Sequence, residues 1–423
     1  MAALAIHCGV NGQTRSLQHS SFLREGAPKT VGMSAERLAR IDAMCQEAIA
    51  EQQVPGLVAL VARRGTIVYW KAFGKADSTT GRDMRRDDIF RIASQTKAVT
   101  ATAAMILWEQ GKFRLDDPIS KYIPEFKDAK VLKTFESVDN YTTEPAKREI
   151  TIRHLLSHTS GIGYGAIDGD QRIRKLYANA GIVDAFSAEP VRIADNIKKL
   201  AKMPLHHHPG ERMTYSEGLD VMGYLIEIVS GKSFDRFMRE HLLDPLRMND
   251  TWFYLPDSKA GRLVPIQTWN ENRWTYLGKT FYDPEYPIKG ARMFFAGGAG
   301  LSSTILDYAN FLQMYLNKGE LNGVRILSRT TVDTIMANPF PEITSPNAES
   351  YYGLAFGVLT PAGAAKGGSG SAGTFNWGGY FNTQYFADPQ EQVIGLIFKQ
   401  TQGTYKDRTG NEFRSLVFQA IDD

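Results

Sequence analysis

Residues 91–111 read RIASQTKAVTATAAMILWEQG. Small and apolar helix formers fill the stretch and Gly111 closes it, so the spacing predicts a helix over 94–110. At its start stands Ser94-Gln95-Thr96-Lys97. Residues one turn apart share a helix face, which puts the amine of Lys97 within reach of the Ser94 hydroxyl. A serine hydroxyl is a poor nucleophile until something takes its proton. A lysine can do so when burial or a nearby cation disfavours its charged form. The apolar run after Lys97 supplies burial. The helix start also places backbone N–H groups near Ser94, where an oxyanion can be held. Yet Ser is a common N-cap and Lys occurs everywhere, so the pair counts as a site only with partners elsewhere in the chain.

On the N-terminal side, Ser34 is a candidate N-cap, and Leu38, Ile41, Met44, Cys45, Ala48 and Ile49 recur at helical spacing until Val54-Pro55-Gly56. GLVALVA (56–62) and TIVYWKAFG (66–74) then read as strands, joined by a hairpin at Arg63-Arg64-Gly65. On the C-terminal side, helical patterns run over 151–158, 217–230 and 304–317. The period then changes. YGLAFGVL (352–359), TFNWGGYFNTQYFA (374–387) and QVIGLIFKQ (392–400) are strand-like, and NEFRSLVFQAI (411–421) is a closing amphipathic helix. AGAAKGGSGSAG (362–373) reads as a flexible loop. Strands thus come from both ends of the chain, with helices between. The expected fold is α/β (α+β): one central antiparallel sheet from the N- and C-terminal segments, flanked by helices, plus a mostly helical lobe. The sheet lobe spans about 34–85 and 346–423, the helical lobe about 86–345, and 1–33 forms an N-terminal tail.

The chain has 423 residues, 49 basic and 46 acidic, for a net charge of +3. No concentrated Lys/Arg face stands out, so nothing favours nucleic acid or anionic membrane as a partner. No apolar run approaches the roughly 20 residues of a membrane span. The start, MAALAIHCGVNGQTRS, lacks a basic region ahead of its short apolar patch and makes a poor signal peptide. Two cysteines, Cys8 and Cys45, are compatible with a reducing compartment, and a disulfide between them would not organise so long a chain. The expected location is the cytoplasm, with the periplasm or secretion as the alternative.

Two further stretches are candidates for the same site. Tyr215-Ser216-Glu217 opens the helix of 217–230, and a tyrosine beside a lysine can relay protons. Trp377-Gly378-Gly379 lies on a predicted strand, where adjacent glycines let a backbone approach a ligand closely. The Tyr380 amide after them is a candidate second oxyanion donor. Taken singly, Tyr215 is a half-buried aromatic before a helix, and the Trp377 stretch is a bulge.

Together, in this order, the three resemble the serine β-lactamase and penicillin-binding protein superfamily. The chain looks class C-like and closest to the family VIII carboxylesterases. EQGKFRLDDPISKYIPEF (109–126), ITIRHLLSHTSGI (150–162), PGERMTYSEGLDVMGYLIEIVSG (209–231), GGAGLSSTILDYANFLQMYLNKGELNGVRILS (297–328) and FADPQEQVIGLIF (386–398) extend the resemblance over about residues 35–423. It implies a β-lactamase/DD-peptidase-like fold and a serine hydrolase acting through an acyl-enzyme on a small-molecule ester. It implies no metal or organic cofactor. Ser94 would be the nucleophile and Lys97 its activating lysine. Tyr215 would share the proton work, and the Ser94 and Tyr380 amides would form the oxyanion hole. Which of Lys97 and Tyr215 is the base stays open.

Two departures shape the expected substrate. Glu217 replaces the Asn of Tyr-x-Asn, and an ionised Glu only accepts where Asn also donates. Trp377 replaces the Lys of K-T-G and cannot pair with a substrate carboxylate. Both favour short-chain acyl esters over β-lactams, with Trp377, Gly378, Gly379 and Glu217 at the substrate. The alternatives are a β-lactamase or D-amino-acid peptidase or amidase, an acyltransferase, and a non-catalytic penicillin-sensor-like binding module. Lys366 and Lys399 are the cations whose presence in the cleft would favour the first. His206-His207-His208 is adjacent rather than spaced as metal ligands are, and is expected to be solvent-exposed loop. Ser160 lacks the G-x-S-x-G setting, and Asp116-Asp117 reads as a turn. The aromatic stretch 269–296 is either a wall of the acyl pocket or packing for the helical lobe.

Overall fold

The computed structural model describes residues 14–403 and 406–423. Cys8, and with it the Cys8–Cys45 pairing, lies outside the described residues. No helix among them is long and apolar enough to cross a membrane.

The sheet comprises β1 (Arg24–Glu25), β2 (Gly56–Arg63), β3 (Thr66–Asp77), β4 (Arg82–Asp83), β5 (Ser350–Tyr352), β6 (Gly357–Leu359), β7 (Phe375–Gly378), β8 (Thr383–Asp388) and β9 (Val393–Phe398). Their order is β5-β6-β7-β8-β9-β2-β3-β1, with β4 paired to β3. The two ends of the chain meet where β9 pairs antiparallel with β2, Leu396 opposite Leu60. All eight residues of β2 are buried, because both faces of the sheet are covered. Alternation divides them. Leu57, Ala59 and Val61 join one core with α1 (Arg40–Ala50) and Phe413 and Val417 of the closing helix; Val58, Leu60 and Ala62 join the other, with α2 (Thr96–Glu109). Ser34 caps the turn before α1, its hydroxyl accepting from the Arg37 amide at 3.2 Å.

The helical lobe includes α3 (Ile152–Leu156), α4 (Gly218–Ser230) and α5 (Ile305–Leu316), and the closing helix of the sheet lobe is α6 (Thr409–Gln419). In α2 every residue from Thr96 to Leu107 is buried, so an all-round apolar helix sits at the centre of the molecule.

Three expectations are corrected. The sheet is mixed, since β1 runs parallel to the start of β3. That strand comes from the expected tail, and Thr14–Arg15 pairs with Val324–Arg325, so the described part of the tail is strapped to the body. The single strand expected over 352–359 is two, broken where Ala355 turns left-handed at φ +69°. The one expected over 374–387 is a hairpin, β7 and β8, turning at Asn382 with φ +73°. Asn tolerates that conformation better than other non-glycine residues. The helical lobe also carries a hairpin, Lys130–Ser137 with Asn140–Pro145.

Candidate active site

Ser94 stands in a 3-10 turn, Ala93–Gln95, that feeds directly into α2. Ala93 is fully buried and left-handed at φ +44°, a strained conformation for a residue with a side chain. The turn is held from three sides. The Tyr308 hydroxyl donates to the Gln95 carbonyl at 3.0 Å. The Leu301 amide donates to Thr96 Oγ1 at 3.1 Å, and Thr100 Oγ1 donates to the Gly297 carbonyl at 2.7 Å. Amides in the first turn of a helix have no intrahelical partner, so the Ser94 N–H is placed to meet a ligand.

Lys97 is 0% exposed. Its Nζ donates to the Gly298 carbonyl at 2.7 Å, to the Tyr164 hydroxyl at 3.1 Å and to Ser94 Oγ at 3.4 Å. It also lies over the rings of Tyr215, 4.5 Å from the centroid, and Tyr164, at 4.9 Å. Those two rings stack, with centroids 5.4 Å apart. The Trp377 indole N–H donates to the Tyr215 hydroxyl at 3.4 Å. The three sequence candidates therefore converge on one spot.

Behind Tyr215 sits His158, ring centroids 4.5 Å apart. The Ser216 amide donates to its Nδ1 at 3.2 Å, and the same nitrogen lies 2.9 Å from the Ser216 hydroxyl. Burial, with Lys97 adding repulsion, pushes His158 well below the ordinary histidine range, so it is a neutral platform for Tyr215. Asp220, at the first turn of α4, accepts from the Gly298 amide at 3.1 Å. Burial pushes its carboxyl up to about 6, against the opposing pull of Lys97.

At the end of β7, a Cβ on Gly379 would lie 2.3 Å from Thr383 Oγ1 and 2.5 Å from the Ile92 carbonyl. The glycine thus makes room for the backbone that leads into the Ser94 turn. The Gly379 amide donates to the Thr383 carbonyl at 2.7 Å, and its carbonyl accepts from the Asn382 amide at 2.9 Å. Neither bond uses the Tyr380 amide. Gly379→Ala will therefore cost about 1–3 kcal/mol by overpacking. It will also lower turnover at the candidate site by moving the Tyr380 amide away from the Ser94 turn. A melting curve with steady-state kinetics checks both.

Ser94, Tyr215, Trp377 and Gly378 line a groove of about 470 Å³. Ser94 also lines a smaller recess with Tyr164, Phe186, Phe281, Ala299 and Tyr380. Phe281 comes from the aromatic stretch, while its neighbour Tyr282 is buried against Phe186 and Phe381, so that stretch both walls the site and packs the lobe.

Other expectations fall. Glu217 is 2% exposed and does not line the groove. It enters a helix whose first turn packs inward, so its carboxyl meets Asp184 instead. His207 and His208 are buried, not exposed. His206 Nε2 meets Asp168 Oδ2 at 2.9 Å, His207 Nε2 meets Thr214 Oγ1 at 3.0 Å, and His208 Nδ1 accepts from the Lys147 amide at 3.3 Å. Lys399 is buried on Asp407 at 2.8 Å, and Lys366 pairs with Glu349, so neither lines the groove. Arg414 does line it, but it donates to the Ser369 carbonyl and lies over the Phe386 ring, 5.2 Å from the centroid. Ser160 is buried and accepts from the Ile162 amide at 3.2 Å. Asp117 accepts from Tyr122 at 2.7 Å and Lys121 at 3.0 Å, as a turn residue would. Sequence reasoning missed Tyr164, His158 as the support of Tyr215, and Asp184. Only the HTSG stretch just before Tyr164 pointed towards them.

A profile of the Beta-lactamase family matches residues 41–418. Protein Rv1367c of Mycobacterium tuberculosis is 32% identical over 361 residues, covering 82% of this chain and 85% of that protein. Esterase EstB of Burkholderia gladioli is 29% identical over 403 residues, covering 89% of this chain and 93% of that protein. Among solved structures, EstCE1, a hydrolase with promiscuous acyltransferase activity, has a TM-score of 0.77 and 26% identity, covering 90% of this chain and 98% of that one. Most of the sequence lies inside the family profile, and the chain belongs to the Beta-lactamase family.

Proposed function

We propose that the protein is a serine carboxylesterase that hydrolyses small esters with short acyl chains through an acyl-enzyme on Ser94. The observation that carries this reading is the contact between Ser94 Oγ and the buried Lys97 Nζ, beneath a strand that carries Trp377. The similarity to Esterase EstB supports it. Ser94 Oγ attacks the ester carbonyl, and its proton passes to the Lys97–Tyr215 pair, which acts in the form that has already given up one proton and so offers a lone pair to the serine. The carbonyl oxygen, now anionic, takes hydrogen bonds from the Ser94 and Tyr380 amides, each worth about 3–4 kcal/mol in comparable sites. The C–O bond breaks, and the same pair returns the proton to the departing alcohol. Water then attacks the acyl-enzyme by the reverse route. Every step uses side chains and amides of this chain and calls on no cofactor.

Trp377 offers an indole where a carboxylate-binding lysine would stand, and Arg414 already has partners. A β-lactam's carboxylate thus lacks that lysine, and Arg414, whose Nε has no hydrogen-bond partner, is the cation left in the groove lining. We expect fast release of p-nitrophenol from p-nitrophenyl acetate and butyrate, slower release from the octanoate, and feeble cleavage of a chromogenic cephalosporin. The small recess beside Ser94, walled by Phe186 and Phe281, is the reason for the chain-length limit. Fast cephalosporin cleavage with slow ester turnover would overturn the reading. Acyl transfer is a second outcome of the same acyl-enzyme, supported by the description of EstCE1. It would show as ester formation when a short alcohol is added.

A further inference from the structure

Glu217 and Asp184 take no part in the chemistry above, yet both are placed beside it. Against them runs the loop from Gly163 to Ala166. The Glu217 amide donates to the Gly163 carbonyl at 3.1 Å. The Ala166 amide donates to Asp184 Oδ2 at 2.6 Å. A Cβ on Gly165 would lie 2.1 Å from Asp184 Oδ1, so the carboxyl fits directly against the loop. The Tyr164 amide donates to Asp168 Oδ2 at 2.7 Å. Two carboxyls and the Glu217 amide thus fasten the backbone around one tyrosine, and that tyrosine's hydroxyl accepts from Lys97 at 3.1 Å.

The two carboxyls also explain each other. Glu217 Oε1 and Asp184 Oδ1 are buried, and neither has a nitrogen or hydroxyl donor. Two ionised carboxylates cannot share such a place, whereas one protonated carboxyl supplies the missing donor.

We propose that Glu217 and Asp184 share one proton and, as a pair, position the Tyr164 loop against Lys97. The inference rests on the reading that Lys97 serves Ser94. Glu217 is a positioning residue here, acting through Tyr164 rather than on substrate.

The groups facing the pair are mostly acids. Asp220, Tyr164 and Tyr177 face Glu217, and Asp168, held by His206, faces Asp184. Burial, then Asp184 and Asp220, pushes Glu217 well above the ordinary carboxyl range. A group raised on folding contributes stability that is full below its unfolded value and is lost as pH rises through its folded value. The wild type should therefore lose stability as pH rises from the ordinary carboxyl range through the raised value of the pair.

The test measures kcat for p-nitrophenyl butyrate and the melting temperature against pH, in wild type, Glu217→Gln and Glu217→Ala. Gln donates to Asp184 without titrating. We expect it to keep most of the neutral kcat and to move the fall of both kcat and Tm with rising pH upward by about one pH unit or more. Glu217→Ala should lose about tenfold in kcat with little change in KM. Melting is also followed in Ser94→Ala with and without Glu217→Gln, where the same shift must appear without any catalysis. Superimposable pH profiles for wild type and Glu217→Gln, or an unchanged kcat in Glu217→Ala, would overturn the pairing. Turnover that survives in Ser94→Ala would instead overturn the site, while the melting comparison would still judge the pair.

Discussion

Ser94→Ala will lower kcat/KM for p-nitrophenyl butyrate by about 10⁴–10⁶-fold, in line with loss of the nucleophile in other serine hydrolases. The fold will survive. Ser94 is half-buried, and its Oγ is the longest of the three contacts of Lys97, at 3.4 Å. The shorter bonds to Gly298 and Tyr164 stay in place. The melting temperature should therefore move little, since the lost interaction is worth about 0.5 kcal/mol or less. Steady-state kinetics beside a thermal melt separates the two effects. A large drop in both would mean that Ser94 holds the turn together rather than attacking the ester.

Lys97→Ala will be nearly as damaging to turnover and far worse for stability. General acid–base assistance contributes about 10²–10⁴-fold to such a reaction, and the kcat loss should fall near the upper end because Lys97 Nζ is the amine in contact with Ser94. Removing the side chain also leaves the Gly298 carbonyl without its buried donor, a loss of about 1–3 kcal/mol. A cavity under Tyr164 and Tyr215 adds to it. Lys97→Arg should not rescue kcat. Its guanidinium keeps a positive charge but cannot take the serine's proton, and its planar fork does not suit three acceptors arranged around one nitrogen. Recovery of turnover by Arg would show that Lys97 acts only as a fixed charge. Kinetics of the two variants against pH, with melts in parallel, checks this.

How much of this was legible in the sequence differs from element to element. The helix after Ser94 was legible because its small and apolar residues form an unbroken run, and the fully buried α2 needs no polar face to mark its register. Strand β2 was legible for the same reason, with eight buried residues in sequence. The hairpin within 374–387 was not, because Gly379 and Asn382 make a turn inside a run that stays strand-like on both sides. The edge strand Arg24–Glu25 is two exposed polar residues, which carry no hydrophobic signal at all.

At the site, Ser94, Lys97, Tyr215 and Trp377 could be picked out because each belongs to an ordered local pattern. Tyr164 and Asp184 could not, since what matters there is distance across the fold. Tyr164 reaches a lysine 67 positions away in sequence. Glu217 was found and misplaced. Two residues on from Tyr215, it looked like a cleft residue, but the start of α4 turns it inward to Asp184. Gly379 also makes room for the Ile92 carbonyl, a contact across the fold that no local pattern announces.

The central claim is a covalent acyl-enzyme on Ser94. Intact-mass spectrometry after rapid acid quench of a p-nitrophenyl butyrate reaction tests it most directly, with peptide mapping to locate the adduct. The mechanism predicts a transient gain of one butyryl group, carried on the Ser94 peptide and absent from Ser94→Ala. An adduct on another residue, or rapid turnover with no adduct under conditions that trap deacylation, would contradict it.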